Sequence, residues 1–494
     1  MEADDQPISN ATAHSAQTRI ALARADFGSH AKRIGTGLLL VALVAAMALV
    51  NYMPPIDGMS MAASRAAVLV IFTIASWALG LFKEPITTLL FFLFAMLFHV
   101  APAATVFSGF ESPAWWLVFG GSVTGIAIRT TGLGSRLGRR VFASSSGTYQ
   151  GYVSAVVVAS VGLAFIMPST TGRIFLLAPI VLALADQLGF EPGRTGRTGL
   201  VLAVAAASYM PPASILPANI PNTVLLGAAD TLYGVRLEYG PYLLLHFPVL
   251  GALKALAIIA LICKLFPDEV RVPEAPVQIA NEVTKKLTPA EVRLGVLLLL
   301  SVLLYATDFL HGISPAWVAL AAGVACLLPQ TGILRVQDFT EQLQLTPLIY
   351  VAGFLGLGAV IAQSGLGAWV SHALLLWVGM VPGHGASNLP LLAAVDACVG
   401  FLTTLPGLPA VLTPLAQEFS QASGLPLLTV LMLQVPVFST VFLPYQAPPM
   451  MIAMHLGGVG IRDGARLCLA LAALTLLALL PLDFLWWHVL GAIR

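Results

Sequence analysis

Runs of about 20 apolar residues, the length needed to cross the hydrocarbon core of a bilayer, recur along this chain. They fall near 35–53, 61–81, 84–103, 113–133, 198–227, 241–264, 291–310, 312–330, 346–368, 424–458 and 466–488. The pattern predicts an all-α polytopic membrane protein of about eleven transmembrane helices. Two further apolar stretches are too short and too broken to count as ordinary crossings. The first lies in residues 141–193, whose arms Val153–Met167 and Ile174–Leu188 hold about 15 residues each. Basic residues bracket this stretch: Arg136, Arg139 and Arg140 before it, Arg194 and Arg197 after it. Positive charge gathers on the cytoplasmic side, so the chain must leave and return on one face. A re-entrant hairpin over 150–190 is predicted, although two short tilted spans satisfy the same parity. The second stretch, 386–420, contains no Lys or Arg and is predicted to open from the opposite face.

The two hairpins belong to a larger duplication. AFIMPSTTGRIFLLAPI, from Ala164 to Ile180, and CVGFLTTLPGLPAVLTPLA, from Cys398 to Ala416, each interrupt an apolar run with a polar, helix-breaking cluster. In each, a proline follows ten residues after a hydroxyl: Ser169 to Pro179 and Thr404 to Pro414. VFGGSVTGIAIRTTGLG from Val118 aligns with VAGFLGLGAVIAQSGLG from Val351, and ILPANIPNTVLLG from Ile215 with FLPYQAPPMMIAM from Phe442. With five spans in each half, the second half is inverted relative to the first. The expected layout is a cytoplasmic N-terminal segment 1–34, a first helix and loop 35–60, repeat 1 over 61–266, a cytoplasmic linker 267–290 and repeat 2 over 291–494. Transport proteins built from inverted repeats with interrupted helices bind their solute between the halves.

Composition agrees with that solvent. The chain is 58% hydrophobic and 10% charged, with a net charge of +1, and it has no basic tail or arginine-rich face to suggest a nucleic-acid partner. Its mean hydropathy is +0.89. The polar, acid-led start (Glu2, Asp4, Asp5) is no signal peptide. The expected placement is therefore a multi-pass protein of the plasma (inner) membrane, with the N-terminus cytoplasmic and the C-terminus outside. Cys263, Cys326, Cys398 and Cys468 have no metal spacing and read as small buried hydrophobes. No His-Glu-x-x-His, Gly-x-Gly-Asp or paired His/carboxylate pattern marks an enzyme, and no motif implies a cofactor.

Non-helical backbone at membrane depth survives only inside protein or along a water-filled cavity, so the hairpin tips are the predicted site. At the first, Pro168 and Gly172 stop the helix, Ser169, Thr170 and Thr171 supply hydroxyls, and Arg173 opens the returning arm. A helix N-terminus there favours an anion, and Arg173 offers a planar fork for carboxylate or sulfate. The fifth span is broken by Pro211, Pro212, Pro217 and Pro221, with Asn219 and Asn222 inside the break. These asparagines either hold substrate or a cation, or satisfy the backbone groups released by the prolines. The second tip offers Thr403 and Thr404, and the tenth-span break offers Gln446. Asp396, a lone carboxylate in the first arm of the second hairpin, is a candidate proton carrier.

At these residues the chain resembles the divalent anion:sodium symporter family, carriers of di- and tricarboxylates, sulfate and related anions. The resemblance covers almost everything from about residue 55 onward. MPSTTGRIFLLAPI is similar to the family's Pro-Ser-Asn-Thr-Ala-Arg variant, with Thr170 in place of the asparagine, and IPNTVLLG places Asn222 on the family's asparagine. GLGSRLGRR resembles the family's Gly-Leu segment leading into a basic loop. The resemblance implies a homodimer, an elevator-like motion and sodium as coupling ion, with Ser169, Thr170, Gly172, Asn219 and Asn222 as the first cation site. Departures bear on coupling. Thr404, Leu405 and Pro406 occupy the second Ser-Asn-Thr places, and Met450 stands where the family often has asparagine. Two of three ligating side chains are missing there. The expected function is secondary active transport of a small anion (di/tricarboxylate, sulfate or sulfonate), with sodium or proton coupling. Anion exchange without cation coupling is the alternative.

Overall fold

A computed structural model describes residues 40–50, 52, 55, 58–143, 145–270, 286–380, 384–402 and 404–493. The N-terminal segment 1–34, most of the 267–290 linker and Thr403 lie outside the described residues. Among the described residues every regular element is a helix. The chain runs α1 (Leu40–Leu49), α2 (Met61–Ala78), α3 (Glu84–Leu97), α4 (Pro113–Thr131) and α5 (Leu133–Ala143). It continues through α6 (Tyr149–Ile166), α7 (Thr170–Gln187), α8 (Thr195–Ala207), α9 (Ile220–Tyr233) and α10 (Tyr239–Leu265). Then follow α11 (Pro289–Ala306), α12 (Pro315–Leu327), α13 (Val336–Gln342), α14 (Leu345–Gln363), α15 (Leu366–Val378) and α16 (Gly385–Leu402). Short helical turns over 405–415 lead to α17 (Ala416–Ser423), α18 (Leu427–Phe438), α19 (Pro448–Gly457) and α20 (Ile461–Val489).

Seven of these helices are long and apolar enough to cross a membrane: α2, α6, α7, α10, α11, α14 and α20. The fifth and tenth apolar runs are each split, α8 from α9 and α18 from α19, at the prolines that the sequence places there. Proline has no N–H to donate and clashes with the preceding turn. The arms of the first predicted hairpin, α6 and α7, hold 18 residues each, more than their apolar cores suggest. Polar caps extend them: Thr148 accepts from Gly151 N at 3.1 Å, and Ser169 accepts from Gly172 N at 3.1 Å.

Both basic clusters that bracket α6 and α7 pair with acids flanking the linker. Arg136 Nε meets Glu291 Oε1 at 2.8 Å, and Arg194 Nη2 meets Asp268 Oδ1 at 2.6 Å. Glu291 also completes a capping box with Thr288 at the start of α11.

Helices in apolar surroundings gain little from the hydrophobic effect and pack through small residues that let backbones approach. α4 lies along α12 in this way. A Cβ built on Gly120 would stand 2.3 Å from the Ala319 carbonyl oxygen, and one on Gly356 of α14 would stand 2.2 Å from the Val106 carbonyl oxygen. Gly120→Val is therefore expected to force α4 from α12 and cost about 2–3 kcal/mol or more. Gly295→Val, which meets nothing within 4 Å, is the control. Thermal unfolding of the two variants in detergent checks this: equal midpoints would contradict the close approach.

Candidate functional site

The break between α6 and α7 leaves Met167 O without a helical partner, and the break between α8 and α9 strands the carbonyls of Ser208 and Ala218. One side chain answers all three. Arg173 is completely buried. Its Nη1 donates to Met167 O and, at 2.9 Å, to Ala218 O. Its Nη2 donates to Ser208 O at 2.8 Å and to Thr170 Oγ1 at 3.1 Å. The guanidinium thus ties the tip to the fifth-span break, and it does not line the cavity described below. A substrate-facing arginine was expected here, but burial and four hydrogen bonds commit the fork to backbone and hydroxyl oxygens.

The asparagines of the fifth-span break do similar work. Asn222 Nδ2 donates to Pro212 O and Ile215 O at 3.2 and 2.7 Å, and Asn219 Nδ2 donates to Tyr209 O at 3.2 Å. Their amide donors satisfy carbonyls that the prolines released, while both Oδ1 atoms are buried without a partner. Asn219 lines the cavity and Asn222 does not.

The second half solves the same problem with other residues. Gln446 Oε1 accepts from Phe442 N and Leu443 N at 2.9 and 3.0 Å, and its Nε2 donates to Gly400 O at 3.1 Å. It stitches the tenth-span break to the arm α16. Thr404 Oγ1 lies 3.2 Å from Tyr350 Oη. Lys254 is buried and donates to Ser439 O at 2.8 Å and Ser439 Oγ at 3.0 Å. Ser439 caps the C-terminus of α18, as Ser208 caps that of α8.

A cavity of about 440 Å³ lies against the tip residues Ser169, Thr170 and Thr171, the break residues Tyr209 and Asn219, and Tyr350 of α14. Pro406 of the second tip and Pro448, Pro449 and Ile452 at the start of α19 close it, so both halves of the chain contribute. Ser169, Thr171 and Phe175 also border an adjoining chamber of about 350 Å³. The capped N-terminus of α7 faces this space with its unpaired N–H groups, a geometry that favours negative charge.

Three charged residues without a motif line these chambers: Glu84, Arg129 and Glu341. Arg129, near the end of α4, lines the adjoining chamber, and its Nη1 would lie 3.2 Å from a Cβ on Gly172. Glu84, at the start of α3, lines the main cavity. The only signal available was a charge placed within or beside an apolar run. Asp396 is buried in α16 away from the cavity, and its carboxylate meets no described partner. Among the described residues no group of three or more His, Cys, Asp or Glu side chains could hold a metal ion.

The family described as "Sodium:sulfate symporter transmembrane region" matches residues 36–493. The chain belongs to this sodium:sulfate symporter family. It is therefore a multi-pass membrane protein of a family of secondary anion transporters. Relatives include a "Membrane protein" of Cupriavidus necator, 23% identical over 483 residues covering 92% of each chain. "Inner membrane protein YbhI" of Escherichia coli K12 is 23% identical over 78% of this chain and 86% of its own. "Sodium-dependent dicarboxylate transporter SdcS" of Staphylococcus saprophyticus is 23% identical over 87% of this chain and 86% of its own.

Within this symporter-family chain the Arg173 clamp makes a test. Arg173→Ala leaves three buried carbonyls unpaired and should cost about 3 kcal/mol or more. Arg173→Lys keeps the charge but loses the fork and should cost less, roughly 1–2 kcal/mol. Detergent-solubilised thermal unfolding should rank them wild type, Lys, Ala. An Ala variant as stable as wild type would remove the clamp.

Proposed function

We propose that this protein is a secondary transporter of a small organic or inorganic anion that works by exchange, without sodium. The substrate sits in the cavity between the two tips, its charge held by the N-terminus of α7 and by Arg129. Alternating access comes from an elevator-like movement of the two tip-and-break units against the remaining helices, in a homodimer.

One observation carries the sodium-free reading. The oxygens that a cation at the first tip would need are those of the tip and the fifth-span break. The Arg173 guanidinium already bonds Met167 O, Ala218 O, Ser208 O and Thr170 Oγ1, which leaves Asn219 Oδ1 and Asn222 Oδ1 as the buried oxygens there without a partner. A hard cation needs several oxygen ligands at once, and a fixed organic cation here supplies the charge that sodium would bring. At the second tip, Leu405 and Pro406 offer no side-chain oxygen, so no sodium is expected there either. Asp396 supports a second reading, in which a proton is the coupling ion, because its buried carboxylate has no described partner.

The test is uptake into vesicles of purified protein. Transport should continue when sodium is replaced by potassium and should accelerate several-fold with unlabelled anion inside. Dependence on sodium with no effect of internal anion would sink the exchange reading. Dependence on an inward pH gradient, abolished in Asp396→Asn, would move the assignment to proton coupling. In Arg173→Ser the oxygens are released, so sodium should raise the unfolding temperature of the variant and leave wild type unchanged.

The hairpin reading has its own check. The pairing of Arg136 with Glu291 and of Arg194 with Asp268 supports one face for both ends of α6–α7. In a cysteine-free background, Ser145→Cys and Glu191→Cys should react with an impermeant thiol reagent from the cytoplasmic side alone. Labelling from opposite sides would replace the hairpin by a crossing.

A further inference from the structure

We infer that the anion this cavity accepts is an amphipathic organic monoanion, with its carboxylate or sulfonate at the Arg129 end and its apolar body in the main chamber. The inference rests on the cavity being the transport site, and it follows from charge and from the chemistry of the walls.

The charges around the cavity are few. The main chamber has a single charged lining residue, the carboxylate of Glu84. The adjoining chamber has Arg129 and Glu341. Arg173 lines neither chamber, and its two terminal nitrogens are bound to backbone and hydroxyl oxygens. Neither Glu84 nor Arg129 makes an ion pair with a described residue. A dianion of sulfate or succinate size would bring two negative charges to one available guanidinium and set one of them toward Glu84. Charge left without a partner beside these carboxylates is disfavoured. A monoanion pairs with Arg129 and brings one negative charge, not two, to the carboxylates of Glu84 and Glu341.

The walls point the same way. Seven prolines line the main chamber, and proline offers no N–H to an oxyanion. Leu117, Val118, Phe175, Ile220 and Ile452 add apolar surface. Beyond the tip hydroxyls, the free donors are few: Tyr209, whose buried hydroxyl has no protein partner, and the exposed Gln344 and Thr346. A compact, fully polar anion would lose most of its hydration without replacement, while an apolar body gains from this burial. A volume of about 440 Å³ lies within the range of organic ligand pockets.

Binding to the full chain in detergent, read by thermal shift and repeated as vesicle uptake, tests this with defined probes. Phenylacetate and hexanoate should bind at least tenfold tighter than succinate or sulfate, and neutral phenylacetamide should not bind. Arg129→Gln should weaken the monoanions at least tenfold, with most of the loss restored in Arg129→Lys. Glu84→Gln should strengthen succinate at least tenfold and leave phenylacetate within threefold. Tighter binding of succinate or sulfate to wild type would overturn the inference and leave the transport reading standing. So would equal binding of phenylacetamide, or succinate unchanged in Glu84→Gln. If no anion of either class binds or is taken up, the cavity is not the transport site and both readings fall.

Discussion

Every helix broken inside apolar surroundings releases carbonyl groups that water cannot reach, and this fold depends on donors delivered to them. The first half uses a guanidinium: Arg173 reaches Ser208 O at the end of α8, Ala218 O in the break and Met167 O at the tip. The second half takes its donor from the first: Lys254 of α10 donates to Ser439 O at the equivalent end of α18. In both, a full positive charge meets the negative end of a helix dipole. Removing water from a charge is costly, and these charges are tolerable because each has several oxygen partners.

That solution has a mechanical consequence. Arg173 joins the first tip to the fifth-span break, and Gln446 joins the arm α16 to the tenth-span break. Tip and break in the first half, and arm and break in the second, are thereby each bonded into one unit. The cavity lies where the two units meet, bounded by Ser169 and Asn219 from one and by Pro406 and Pro448 from the other. It also has an electrostatic consequence. A cation committed to carbonyls is not free in the cavity, and Arg129 is the basic side chain that lines the adjoining chamber.

Much of this was legible along the chain. Apolar run lengths located the helices, because a bilayer sets a minimum span whatever the partner. Prolines 211, 212, 217 and 221 located the fifth-span break, because a missing N–H acts locally. The hydroxyl cluster of Ser169, Thr170 and Thr171 at the break was likewise a local reading, as was the order of parts that matches the sodium:sulfate symporter family. The apolar arms of the first hairpin were read short because Thr148 and Ser169 extend helices beyond their hydrophobic cores.

The direction in which a charge points was decided only by tertiary structure. Arg173 sits in a motif that reads as anion-binding, yet its side chain turns back because Ser208 and Ala218, some 35 to 45 residues away, present unpaired carbonyls to it. Arg129 and Glu84 belong to no motif and reach the cavity because α3 and α4 pack beside the tip. Hydropathy and proline spacing are properties of neighbours in sequence, so they determined the elements and their breaks. The partner of a buried charge depends on which distant carbonyl is left unpaired, and only the packed chain specifies that.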